Sequence, residues 1–309
     1  MPLHPQAQQF VDNLAAQGAP GWHELSPDEG RKIFASLIEF CGRQAEVARV
    51  EDLTTPGGVA LRVYTPTGDG PHPALVYFHG GGWVLGDLDT HDRLCRQLAD
   101  ESSCVVVAVD YRRAPEHKYP CALIDSFEAT QFVAENSGRL GILRDRVAVG
   151  GDSAGGSLAL GVSRLALDKH GPEIRFQLLI YPVVGPNFET SSYQEFADGH
   201  GLTRDTMKWF WEQYLGDGPS EMAEYVAPSP ASELQGLPPA HIMTAEFDVL
   251  RDEGEDLAAQ LRNAEVPATL HRYDGMLHGF VHFSGLFDIG VQGVSDAARI
   301  LKERLAVSD

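Results

Sequence analysis

Gly151-Asp152-Ser153-Ala154-Gly155 sets a serine between glycines two residues away on either side. That spacing suits a serine on a sharp strand-to-helix turn, where the backbone is strained and a side chain at either glycine would crowd it. The turn exposes the Ser153 hydroxyl, and the start of the following helix directs N–H groups and a positive dipole end at a developing oxyanion. His79-Gly80-Gly81-Gly82-Trp83 closes an apolar run, and its glycines let consecutive amides point the same way. A row of amides can cradle a phosphate, but no Gly-Lys-Ser or Gly-Lys-Thr follows and the Gly-x-Gly-x-x-Gly fingerprint is absent. The chemistry that fits is an oxyanion hole, with Gly81 and Gly82 as donors and the amide of Ala154 as the third.

A serine hydroxyl is a weak nucleophile at its free pKa, so a histidine base and an acid to orient it are needed downstream, in the order serine, acid, histidine. Asp248 and His278 each follow a predicted strand and satisfy that order. The competitors are His271, inside a strand, His282, four residues past His278, and Asp252, whose alternative role is a carboxylate facing a helix start. The pair His278 and His282 has zinc-ligand spacing on a helix, but the His-Glu-x-x-His glutamate is missing.

The elements that must position these residues follow from periodicity. Strands are predicted at Val47 to Leu53, Val59 to Tyr64, Ala74 to Phe78, Val105 to Val109, Val147 to Val149, Gln177 to Tyr181, His241 to Thr244 and Thr269 to Tyr273. Several are rich in valine with almost no polar alternation, the mark of parallel strands buried on both faces. Helices fit at about 91–101, 122–136, 154–168, 252–264 and 291–306. The alternation means an α/β fold with right-handed crossovers. Two segments before residue 46 have helical period; in the second, Ser26-Pro27-Asp28-Glu29 reads as a capped start, with Phe34, Leu37, Ile38 and Cys41 on one face.

Between Pro182 and about Pro239 the rhythm breaks for too long to be a connection inside a compact domain. Met207, Phe210, Trp211 and Tyr214 share a helix face there, with Trp209 beside them. Such an insertion, past a strand's carboxyl end, sits where α/β sheets bind ligands, so it is expected to be a lid whose aromatic face lines a pocket. Trp83, Trp209, Phe210, Trp211 and Tyr214 are the expected pocket residues.

Composition sets the outer bounds. The 309 residues carry 24 Lys and Arg against 44 Asp and Glu, a formal charge of −20, which repels a phosphate backbone or an anionic membrane surface. Nucleic acid and membrane are therefore excluded as expected partners. The four cysteines, Cys41, Cys95, Cys104 and Cys121, show no Cys-x-x-Cys spacing, which argues against a disulfide scaffold or a structural zinc site. The N-terminus lacks a basic stretch followed by an apolar run, and a cytoplasmic protein is expected.

Taken in order, His79 to Asp92, Asp110 to His117, Gly151 to Gly156, Asp248 to Asp252 and His278 to Phe280 closely resemble the motifs of the hormone-sensitive lipase family of α/β-hydrolases. The likeness covers residues 46 to the C-terminus. It implies an eight-stranded, mostly parallel sheet covered by helices. It also implies a catalytic domain of residues 46–183 and 239–309, under a cap built from residues 1–45 and the inserted 184–238. By the same likeness Ser153 is the nucleophile, Asp248 and His278 its partners, and Gly81, Gly82 and Ala154 the oxyanion donors. The sequence departs from the family at Val249, usually proline, and at Arg113, often leucine. Asp110, Arg112, Glu116 and His117 are expected to pair with one another and with the His79 loop, and Asp152 to support its own loop. The activity implied is a serine carboxylesterase acting on short to medium acyl esters through an acyl-enzyme, with a small-molecule ester as partner and no metal or organic cofactor. A homodimer is compatible with this reading. Two alternatives stay open: an amidase or peptidase with the same residues, and a non-catalytic small-molecule receptor on the same fold.

Overall fold

Alternate residues of the central strands face opposite sides of one sheet, and both sides are apolar. On one side Val76, Phe78, Val105, Val107, Val109, Val147 and Val149 join a core with Leu123, Phe127, Leu158, Leu165, Leu257 and Leu261. On the other, Leu75, Tyr77, Val106, Ala108, Ala148 and Leu178 join a core with Leu94, Leu98, Val294 and Leu301. A strand buried on both faces has no place for polar alternation, which is why these runs are continuous in the sequence. The computed structural model describes residues 2–216, 225 and 234–306.

The strands are β1 (Arg49–Thr54), β2 (Ala60–Thr65), β3 (His72–Phe78), β4 (Val105–Asp110), β5 (Ile142–Asp152), β6 (Phe176–Ile180), β7 (Ala240–Phe247) and β8 (Ala268–Leu277). They form one eight-stranded sheet in the order β1-β2-β4-β3-β5-β6-β7-β8. Only the β1–β2 and β2–β4 pairings are antiparallel; β4, β3, β5, β6, β7 and β8 all run the same way. The eight-stranded, mostly parallel expectation holds. Helices α1 (Pro5–Gln17), α2 (Pro27–Ser36), α3 (Asp92–Ser102), α4 (Cys121–Glu135), α5 (Ser137–Leu140), α6 (Ala154–Asp168), α7 (Ser191–Glu195), α8 (Arg204–Leu215), α9 (Arg251–Asn263) and α10 (Asp288–Arg304) complete the described elements. The sheet faces divide the crossover helices: α4, α6 and α9 cover the first core, α3 and α10 the second.

One consequence of the parallel run decides where the site lies. The carboxyl ends of β3, β5, β6, β7 and β8 fall on a single edge of the sheet, and the residues that follow them are His79, Ser153, Tyr181, Asp248 and His278. At that edge the β7–β8 register shifts between Ala245 and Phe247, so that Phe247 comes opposite Leu277. The irregularity lengthens one strand locally and sets Asp248 beside His278.

The N-terminal part departs from its expected form. Ser26 and Glu29 do make the reciprocal cap, but α2 ends at Ser36, and Leu37–Phe40 is a tighter 3-10 turn, so the face from Phe34 to Cys41 is not one continuous helix. Here the chain packs against the stretch between β6 and β7: His23 Nδ1 lies 3.0 Å from Thr206 Oγ1 at the start of α8. Residues 217–224 and 226–233 of the expected inserted segment 184–238 lie outside the described residues.

Candidate active site

Ser153 stands between β5 and α6 with φ +55° and ψ −119°, a backbone conformation that costs a non-glycine residue about 1–3 kcal/mol. The turn survives because its surroundings hold it: the Ser153 N–H donates to the Ile180 carbonyl at 2.9 Å, and the Ser153 carbonyl accepts from Val183 at 3.1 Å. A Cβ on Gly155 would meet the carbonyl of Phe78, so the first turn of α6 can approach β3 only with glycine there.

Three side chains from the ends of three strands meet in a line. His278 Nε2 lies 3.0 Å from Ser153 Oγ, and His278 Nδ1 lies 2.7 Å from Asp248 Oδ2. Asp248 is 1% exposed, and its other oxygen accepts the Leu250 N–H at 2.9 Å, closing a short turn onto its own backbone. That bond, with Arg251 N–H donating to the Asp248 carbonyl at 3.1 Å, holds the turn at Val249. An imidazole so held presents a lone pair to the hydroxyl and an N–H to the carboxylate. It can therefore take a proton from Ser153 while the buried charge of Asp248 steadies the imidazolium.

The competing residues go elsewhere. Asp252 Oδ2 accepts the Ser192 N–H at 2.7 Å, fastening α7 to α9. His271 stacks on Tyr273 along β8. His282 is buried beneath the site, its ring stacked on His91 with centroids 4.1 Å apart. The ligand-type atoms of His91, Asp152 and His282 lie within 4.8 Å of one another. His282 Nε2 faces the Cys41 thiol, His91 Nδ1 lies 3.1 Å from Thr90 Oγ1, and Asp152 is already engaged. Its Oδ1 accepts from the Tyr77 hydroxyl at 2.7 Å and from the Gly80 N–H at 3.0 Å, with His91 Nε2 3.4 Å away. The cluster therefore reads as a hydrogen-bonded support rather than a metal centre. Burial alone would push the Asp152 carboxyl up, but His91 and these bonds outweigh it and hold it below the ordinary carboxylate range. Burial with His91 alongside pushes His79 down to about 3, so it is neutral. Burial likewise pushes the Cys41 thiol, 3.4 Å from His282 Nε2, up to about 12.

This support explains the geometry of the glycine loop. Asp152 holds Gly80 from below, and the Tyr111 hydroxyl donates to the His79 carbonyl at 2.7 Å. Gly81 and Gly82 then turn through φ +107° and +60°, values glycine adopts without penalty. No acceptor among the described residues takes the amides of Gly81, Gly82 or Ala154. All three remain available to a ligand oxygen beside Ser153.

Two expectations need restating. The charged residues after β4 do not pair with one another: Arg112 makes a forked pair with Asp125 of α4, Glu116 takes Arg31 of α2 at 2.7 Å, and Arg113 donates to the Gly86 carbonyl. An arginine reaches partners one helix away, which spacing along the chain cannot show. The aromatic residues also divide. Trp83 stacks on Tyr214 with centroids 4.2 Å apart and lies 4.7 Å from Trp211, all three being buried. The Tyr119 N–H donates to the Tyr214 carbonyl at 2.8 Å, so this trio seats α8 on the body of the molecule. Phe210 is placed differently: its ring fills the space a Cβ on Gly82 would take, at the glycine loop, with partly buried Trp209 next to it. Residues that spacing alone did not single out are Tyr77 and His91, which sit in ordinary strand and helix-start positions, and Tyr181, which follows β6.

The profile of the alpha/beta hydrolase fold matches residues 75–282. The chain belongs to the hormone-sensitive lipase family of α/β-hydrolases. A relative from Mycobacterium tuberculosis, the carboxylic ester hydrolase LipN, is 41% identical over 266 residues, 83% of this chain and 71% of that protein. An ethyl acetate hydrolase of Pseudomonas putida is 33% identical over 318 residues, 99% of this chain and 100% of its own length. Among solved structures, a thermostable esterase from Pseudomonas putida ECU1011 superposes with a TM-score of 0.94 at 39% identity, covering 99% of each chain.

Proposed function

We propose that this carboxylic ester hydrolase is a serine carboxylesterase that works through an acyl-enzyme on esters of short to medium acids. Ser153 Oγ attacks the ester carbonyl as His278 Nε2 takes its proton, and Asp248 keeps the imidazole in the tautomer that can do so. The amides of Gly81, Gly82 and Ala154 receive the oxyanion of the tetrahedral intermediate. It collapses by breaking the bond to the alcohol oxygen, which His278 protonates. Water, deprotonated by the same imidazole, then attacks the acyl-serine and releases the acid. The observation that carries this reading is the pair of hydrogen bonds, 2.7 Å and 3.0 Å, joining Asp248, His278 and Ser153 in line.

The size limit belongs to the same proposal. Residues 1–45 and 184–238 act as a cap over the domain of 46–183 and 239–309, supported by the His23 to Thr206 contact and by Phe210 against Gly82. A pocket bounded by Phe210 and Trp209 favours short chains. Each added CH₂ that still fits raises kcat/KM about fourfold, for burial of about 0.8 kcal/mol, and the first that does not fit lowers it. A series of 4-nitrophenyl esters from acetate to palmitate, with the matching anilides, measures this. A maximum at short or medium chains with slow anilides is expected; faster turnover of palmitate, or of the anilides, overturns the reading. A cytoplasmic site of action fits the free thiols of Cys41, Cys95, Cys104 and Cys121. No helix among the described residues is long and apolar enough to cross a membrane.

A further inference from the structure

Tyr181 follows β6 at φ +34°, a left-handed backbone conformation that a tyrosine, and above all a residue preceding proline, rarely adopts. Its position is held from both sides. The Tyr181 N–H donates to the Met243 carbonyl, and the Ile180 carbonyl just before it accepts the N–H of Ser153. The backbone twist sends the side chain under the site, where Tyr181 is 1% exposed. There its ring lies against the imidazole of His278, centroids 4.7 Å apart and planes inclined by 59°. On its far side it meets Phe280 at 5.7 Å. Its hydroxyl oxygen accepts the N–H of His282 at 3.2 Å, which fixes the turn that carries His278. Burial keeps that hydroxyl neutral. Strain of this kind persists where the surrounding structure over-determines it, and here what it places is an aromatic ring in contact with the base.

We infer that Tyr181 is a positioning residue for the reaction, its ring forming the wall that holds the His278 imidazole between Ser153 and Asp248 and attracts it as it becomes positively charged. The inference rests on His278 as the base. A cation within about 6 Å of an aromatic centroid is stabilised by the ring quadrupole, and more so where water is excluded. The neutral imidazole gains little from that attraction and the imidazolium gains all of it. The contact therefore acts on the transition state rather than on substrate binding.

The test compares Tyr181→Phe, which keeps the ring and loses only the tie to His282, with Tyr181→Met, which fills the space without a π face. Steady-state kinetics on a short-chain ester are run beside His278→Ala, with thermal melts for the folded fraction. Tyr181→Phe is expected to hold kcat within about threefold of wild type, and Tyr181→Met to lower kcat about 3- to 30-fold with KM within about twofold. A purely structural tyrosine would lower the melting temperature and leave the kcat of the folded fraction alone. The inference is overturned if Tyr181→Met keeps wild-type kcat, if its loss lies in KM, or if Tyr181→Phe loses about tenfold or more; the last comparison stands even if Tyr181→Met does not fold. An active His278→Ala would instead remove the base itself, so the two failures are told apart.

Discussion

Ser153→Ala is expected to lower kcat by about 10⁶ and to leave the protein folded. The loss is large because removing the nucleophile removes the covalent route altogether. The amides of Gly81, Gly82 and Ala154 and substrate binding then supply only about 10³- to 10⁴-fold over water. Stability is expected to change little, since among the described residues the hydroxyl makes one hydrogen bond, to His278 Nε2, while the turn is held by the backbone bonds to Ile180 and Val183. Ester turnover and a melting curve on the same preparation check both halves. Activity within about tenfold of wild type would require a different nucleophile.

The second large effect separates two carboxylates four residues apart in the chain. Asp248→Asn is expected to cut kcat by about 10⁴ with the fold intact, the size that the corresponding change has in serine proteases. An amide in place of Oδ2, 2.7 Å from His278 Nδ1, turns the imidazole to the wrong tautomer and leaves its cation without a counter-charge. Asp252→Asn is expected to change kcat less than about tenfold. It weakens the Asp252 bond to the Ser192 N–H, which joins α7 to α9, at a cost of about 1 kcal/mol. Values of kcat and Tm for both variants decide the matter, and the reverse ranking would move the acid role to Asp252.

How much of this was readable in the sequence depends on whether the signal is local. Val105 to Val109 announces a buried strand because every residue faces a core, and α6 begins at Ala154 as expected because the elbow at Ser153 requires it. The strand expected at Val147 to Val149 extends to Ile142–Asp152, since Arg144, Asp145 and Arg146 interrupt the apolar run while the backbone keeps its strand conformation. Helix α7, from Ser191 to Glu195, is too short to carry a period. In the site, chain order selects Ser153, Asp248 and His278 because parallel strands deliver their ends to one edge. Spacing has no means of pairing Arg112 with Asp125 or Glu116 with Arg31, nor of finding a tyrosine whose importance lies in a φ of +34°. Those depend on contacts between segments far apart in the chain.

Turnover by the proposed route requires a covalent acyl group on Ser153. Acid quench of the enzyme within milliseconds of mixing with excess 4-nitrophenyl ester, followed by peptide mass analysis, measures it most directly. The peptide carrying Ser153 is expected to gain the mass of one acyl group, formed with a burst of nitrophenol and absent from Ser153→Ala. Hydrolysis that proceeds with no acyl group on that peptide, or with the group on another residue, would contradict it.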